Sequence, residues 1–326
     1  MIFESLAALW LKTRKNKVSF SQYKNLRCYI NHLNRYIGEM AVEGIKPTDI
    51  DALLDALTDR NPNTGRPASR QTLVDVRSTA QRIFEYALDL ELITRNPARG
   101  REVSRYAPRR YRRALTATEQ GLIISTPHRA RVGALVMMLA GLRRGELIPL
   151  TWDDIDLDAL KISVTKSAEC KGGNRFEVKP GTKTSMGRLV DITLDLALVL
   201  QKAKAAARSK YVCPRANGEM HTLISWRRMW DSYIIALCKA PGAETTNIKE
   251  ITAHYLRHTY ATLLYLSEVD YLTAAKLLGH SNVKTTIGIY THLDELMKSK
   301  NVDKLDSYLS SSLFRFPAGH NPDTFA

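Results

Sequence analysis

What this 326-residue sequence lacks narrows it first. It has only four cysteines, Cys28, Cys170, Cys213 and Cys238. Their spacing fits neither a metal-ligand set nor a disulfide scaffold, so they read as reduced thiols in a cytosolic protein. No stretch approaches the roughly 18 apolar residues of a membrane span. The opening MIFESLAALWLKTRKNK places its apolar run before its basic one, the reverse of a secretory signal. Acidic residues are short as well: 33 Asp and Glu stand against 48 Lys and Arg, a formal net charge of +15. Such an excess repels itself unless it faces an anion, and nucleic acid is the partner it predicts. The expected protein is soluble, cytoplasmic and associated with the nucleoid.

The length exceeds what one core usually serves, which predicts two domains. Residues 1–96 read as an all-α bundle of about four helices. Tyr23, Leu26, Ile30, Leu33 and Ile37 recur at spacings of three and four, Pro47 opens a further helix, and Ser69 caps the next. Residues 97–114 read as a basic linker. From Arg95 to Arg113 the chain RNPARGREVSRYAPRRYRR carries eight arginines against one acidic residue, with no helical or strand period. Arg105, Arg109, Arg110, Arg112 and Arg113 are therefore candidate phosphate contacts, joined by Arg144 further on. Residues 115–300 form a second, mainly α-helical domain. Thr116 and Glu119 make a capping box, and a small antiparallel β-sheet is expected from the segments near 160–164, 176–180 and 187–192. Residues 301–326 are a tail in which 301–313 has the period of a short amphipathic helix.

Five positions of the second domain carry reactive side chains. Arg143 follows the apolar helix ALVMMLAGL, with Glu146 three residues on to hold its guanidinium. Taken alone, it reads as a structural ion-pair partner or a solvated helix terminus. Thr252 opens a helix that sets His254 and Arg257 three apart on one face. His254 and His258 have a zinc-like interval but no Glu between them and no third ligand. Leu278-Gly279-His280 ends a short helix, and Tyr290 follows ten residues after His280. Tyr271, on an apolar helix, is expected in the core.

In that order these residues resemble the tyrosine recombinase, or phage integrase, family. Its GLR-x-x-E segment is matched by Gly141 to Glu146, its H-x-x-R by His254 and Arg257, its histidine after glycine by His280, and its nucleophile by Tyr290 in IYTHL. The resemblance also implies a catalytic lysine on a β-hairpin, which Lys183 in GTKTSMGRLVDI matches, with Lys171 and Lys179 as nearby rivals. It implies the tyrosine recombinase fold: an N-terminal all-α core-binding bundle before the catalytic domain. The family usually places its tyrosine nine residues after the histidine. Gly288 is expected to absorb the extra residue as a local loop or bulge.

The chemistry follows from the side chains. A tyrosyl hydroxyl is a poor nucleophile until a base takes its proton, a role for His254. Arg143 and Arg257 would grip the non-bridging oxygens of a DNA phosphodiester and His280 would donate to the same phosphate. Lys183 would protonate the departing 5′ oxygen. Two arginines then do the electrostatic work of a metal pair, so no metal or cofactor is expected. The implied partners are double-stranded DNA with inverted-repeat core sites, a tetramer of this chain on paired sites, and factors that bend DNA or set direction. In the family the tail docks on a neighbouring protomer. The competing readings are a type IB topoisomerase, which relaxes supercoils as a monomer, and a non-catalytic architectural DNA-binding protein.

Overall fold

The computed structural model describes residues 1–108, 113–181 and 187–296. Arg109, Arg110, Arg112, Lys183 and the expected tail helix lie outside the described residues. The chain divides into two compact units, Met1–Arg112 with Cys170–Glu177 and Arg113–Glu169 with Val178–Ala326. No described helix is long and apolar enough to cross a membrane.

The first unit is built on α1 (Phe3–Arg14), α2 (Phe20–Ile37), α3 (Pro47–Asp59) and α4 (Arg70–Asp89). Local chemistry sets where three of them begin. Ser19 accepts the Gln22 N–H while the Gln22 side chain accepts that of Ser19, Ser69 accepts the Thr72 N–H, and Pro47 is the first residue of α3. The three-and-four spacing of α2 buries Leu26, Ile30, Leu33 and Ile37 and leaves Tyr23 half-buried. That stripe meets Leu73, Val76, Ile83 and Phe84 of α4 and Phe3, Leu6 and Trp10 of α1 in one core.

The segment after α4 has no regular structure, yet it is not a free linker. Ala98, Val103 and Ala107 are buried in the bundle core. Arg70 donates to the Ser104 carbonyl and Arg77 to that of Arg101, each at 2.9 Å, from points two turns apart on α4. Arg101 pairs with Asp51 and Arg99 with Glu85, both at 3.0 Å. Two arginines of the basic run are thus spent inside the unit. Sequence periodicity missed this docking because the anchoring residues are small and irregularly spaced.

The second unit carries α5 (Ala117–Ser125), α6 (Arg131–Leu139), α7 (Arg144–Leu147), α8 (Leu194–Ala205), α9 (Leu223–Cys238), α10 (Ala253–Leu266), α11 (Tyr271–Leu278) and α12 (Lys284–Leu296). Buried on most sides, α6 is central and α10 packs along it. Gly133 permits this density, since a Cβ there would stand 2.9 Å from Cys213 Sγ. The strands of the chain are β1 (Ile155–Asp156), β2 (Lys161–Val164), β3 (Lys166–Cys170), β4 (Phe176–Pro180) and β5 (Arg188–Asp191), with Cys170, Phe176 and Glu177 grouped in the first unit. In the sheet β1-β2-β5, all antiparallel, Ile162 lies opposite Val190 and Val164 opposite Arg188. The period of two puts Arg188 on the same face of β5 as the buried Val190.

Three local expectations need correction. Residues 176–180 do not join that sheet; they pair with β3 in a separate two-stranded one. The partner KSAEC has no β-branched residue to announce a strand. Thr252 stands at the N-cap of α10 but its side chain makes no capping bond. Tyr271 is not core: it is 46% exposed on the first turn of α11, beside an exposed Leu272.

Candidate active site

The site begins where α6 stops. Gly141 takes a positive φ of 66°, and a Cβ there would lie 2.2 Å from the Tyr260 ring, so only glycine lets the chain turn against α10. The turn delivers Arg143 to the N-cap of α7 and Glu146 to its third position. The Glu146 carboxylate accepts the Arg143 backbone N–H at 2.8 Å and its Nη1 at 2.7 Å. Arg188 crosses from β5 and donates to both oxygens of the same carboxylate, at 3.0 and 2.9 Å. Arg257 approaches it at 3.9 Å. One carboxylate, 2% exposed, therefore organises three guanidiniums.

The same three arginines share a second anchor, the end of α11. Arg188 Nε donates to the Leu277 carbonyl at 3.1 Å, Arg257 Nη2 to that of Leu278, and Arg143 Nη2 to that of Gly279 at 2.7 Å. A helix leaves its last carbonyls unpaired and carries partial negative charge there, which three cations satisfy in succession. Arg257 is fixed further by donating to the Gly141 carbonyl at 2.6 Å. Gly279 adopts a φ of +61°, and a Cβ on it would meet the Arg188 guanidinium at 2.8 Å. His280, next in the chain, is thereby set against the arginine cluster.

Electrostatics follow from this crowding. Burial favours a neutral Glu146, but hydrogen bonds and charge from Arg188 and Arg143 outweigh it and bring its pKa down to about 2. Burial and then neighbouring Arg143 lower Arg257 to about 9, so it stays charged at neutral pH. His280 falls to about 4 through burial, then Arg257, Arg143, Arg188 and His254, and is neutral at pH 7. Its Nδ1 lies 2.8 Å from Thr286 Oγ1. His254 is exposed on the first turn of α10.

Arg143, Arg257 and His280 are thus brought together. Tyr290 stands differently among the described residues. Its hydroxyl donates to the Val269 carbonyl at 3.0 Å and its ring packs edge-on against Tyr265. Burial, then Asp270 and Tyr260, raise its pKa to about 12, so the hydroxyl keeps its proton until a base acts. The bulge expected at Gly288 does not form. The helix α12 runs unbroken through it, because nothing there demands a positive φ.

Of the other candidates, Arg144 is exposed at the start of α7, and Arg105 is exposed with its guanidinium 5.4 Å from the Tyr106 ring centroid. Arg113 makes a two-pronged pair, at 2.5 and 2.6 Å, with the fully buried Glu119, and its side chain is 40% exposed. Lys171 and Lys179, the rivals of Lys183, form ion pairs with Glu177 and Glu169. Sequence reading missed Arg188 and Thr286. The one usable signal was an arginine two residues before Val190 on the inward face of a strand.

Residues 105–297 match the phage integrase family and residues 3–102 match the phage integrase central domain. The chain is 26% identical to the ICEBs1 integrase of Bacillus subtilis (strain 168), over 94% of this chain and 83% of that one. It is 33% identical to the tyrosine recombinase XerA of Thermococcus kodakarensis, over 61% and 65%. Among solved structures it resembles the Tn1549 transposon integrase in complex with transposon right end DNA, with a TM-score of 0.77 at 18% identity over 94% of this chain and 100% of that chain. A lambda integrase tetramer bound to a Holliday junction gives 0.63 at 19% identity, over 86% and 78%. At such identities the structural likenesses establish a shared fold. Matched over both of its units, this chain belongs to the phage integrase family and is a tyrosine recombinase, an enzyme of site-specific DNA recombination.

Proposed function

We propose that the protein recombines the ends of a mobile element with target DNA through a 3′-phosphotyrosyl intermediate, using Arg143, Arg257 and His280 to hold the scissile phosphate. The observation that carries this reading is the convergence of both arginines on Glu146 and on the carbonyls leading into His280. Each terminal guanidinium nitrogen bears two hydrogens, so donors remain for phosphate oxygens after these contacts. Fixed donors cost no reorganisation when charge builds on the pentacoordinate phosphorus. Tyr290 must leave the Val269 carbonyl and pass its proton to a base, for which His254 is the candidate. Its oxygen then bonds to phosphorus as the 5′ oxygen departs with a proton from Lys183. Reversal by the 5′ hydroxyl of a second strand completes the exchange.

A nicked substrate tests this, because the released 5′ fragment diffuses away and strands the intermediate. With excess chelator present, we expect a covalent adduct joined to the 3′ phosphate. An adduct on the 5′ side, or cleavage that stops when divalent metal is removed, overturns the reading.

DNA binding is assigned to Arg105, Arg109, Arg110, Arg112, Arg113 and Arg144. Their replacement by glutamine is expected to weaken binding evenly across sequences. The slope of log K against log salt should become shallower by about one for each phosphate that is no longer neutralised. An unchanged slope in titrations between low and physiological salt removes them from the interface. We further propose that core sites are inverted repeats, that two sites are synapsed by a tetramer with residues 301–313 docking on a neighbouring protomer, and that accessory bending or directionality factors act on the complex. The lambda integrase tetramer on a Holliday junction supports the assembly by analogy of fold.

A further inference from the structure

We propose that Thr286 is a positioning residue that fixes the tautomer of His280: its hydroxyl donates to Nδ1, so that the ring proton resides on Nε2. The proposal rests on the reading of His280 as a donor to the phosphate and says what makes it one.

Two neutral tautomers are open to His280, since burial, and after it the three arginines beside the ring, oppose the cation. Its Nδ1 and Thr286 Oγ1 are 2.8 Å apart, and a hydrogen bond of that length runs in one of two directions. Thr286 is fully buried, and among the described residues its hydroxyl has no other hydrogen-bond partner. Four other helical threonines behave differently: Thr58, Thr79, Thr259 and Thr262 each give the hydroxyl proton to the carbonyl four residues back. Thr286 lies in the first turn of α12, where the residue four back is outside the helix, and it makes no such bond. Were Nδ1–H the donor, the hydroxyl proton would be buried without an acceptor, an arrangement that proteins avoid. The bond therefore runs from hydroxyl to Nδ1. Nε2 is then an N–H donor, matched to phosphate oxygens, whereas the other tautomer would turn a lone pair toward them. The same assignment removes His280 as a base for Tyr290 and leaves that role to His254.

The tautomer is read directly in the free full-length protein labelled with 15N-histidine, from long-range proton–nitrogen correlations. The spectrum of His280→Gln identifies the signals. We expect the Nε2–H form in wild type and in Thr286→Ser, and loss of that single form in Thr286→Val. On a nicked site, Thr286→Val should bind normally and cleave about five- to tenfold more slowly, the worth of one neutral hydrogen bond. Thr286→Ser should cleave close to the wild-type rate. An Nδ1–H or cationic His280 in wild type at neutral pH overturns the proposal, as does slowed cleavage by Thr286→Val with the tautomer unchanged. Should Thr286→Val fail to fold, the wild-type and Thr286→Ser spectra decide alone. Because this measurement needs no DNA, it can fail while the phosphotyrosyl reading stands, and the reverse.

Discussion

Replacing Tyr290 with phenylalanine is expected to abolish strand cleavage, by roughly 10⁴-fold or more, with site affinity unchanged, because it deletes the attacking oxygen and keeps the ring. The fold should tolerate the change. The hydroxyl makes one hydrogen bond, to the Val269 carbonyl, and losing a half-buried neutral bond costs about 1 kcal/mol. The ring keeps its packing against Tyr265. With a nicked site, wild type should yield an adduct whose DNA remnant maps to the peptide containing residue 290. Tyr271 is the rival to exclude, and its exposure means that burial does not exclude it. Position does: it stands at the far end of α11 from His280, about 12 Å along the helix at 1.5 Å per residue. An adduct on Tyr271, or adducts formed by Tyr290→Phe, would refute the assignment.

The second large effect concerns Glu146, which is buried and paired with the arginines. Changing it to alanine leaves Arg143, Arg188 and Arg257 crowded without their shared counter-charge, and removing one partner of a buried pair costs about 3–5 kcal/mol. Because two of those arginines hold the phosphate in our reading, cleavage should drop by roughly 10²–10³-fold as well. Glutamine keeps the shape and loses the charge, so it should fall between. Urea unfolding and single-turnover cleavage measure the two losses separately. The pH dependence has a defined sign. The Glu146 pKa is lowered in the folded protein from 4.5 to about 2, so its contribution is complete above the unfolded value and is lost as pH falls from about 4.5 to about 2. By the linkage relation that contribution is about 3 kcal/mol. Wild type should shed stability across that acid window, and Glu146→Gln should lack this component. Equal acid profiles for the two proteins would remove Glu146 as the organising charge.

What could be read from the sequence lay where the physics acts over a few residues. Helical periods marked the bundle faces of α2 and α4, and Ser69, Thr116 and Pro47 set helix starts, because a cap reaches only the next turn. The pairing of Arg143 with Glu146 was legible for the same reason, as was the H-x-x-R spacing on α10. The tertiary structure alone decided which distant groups converge. Arg188 reaches Glu146 across 42 residues of sequence, and Arg257 reaches the Gly141 carbonyl across 116. Only the docking of α11 against β5 and α10 puts three successive carbonyls under three arginines. The buried carboxylate of Glu119 that anchors Arg113 came only with the fold, and Ala98, Val103 and Ala107 gave no period by which their docking could be foreseen. Periodicity and capping are properties of a segment, whereas a buried ion cluster needs several segments placed at once, and their packing supplies the desolvation and the fixed distances that make it a site.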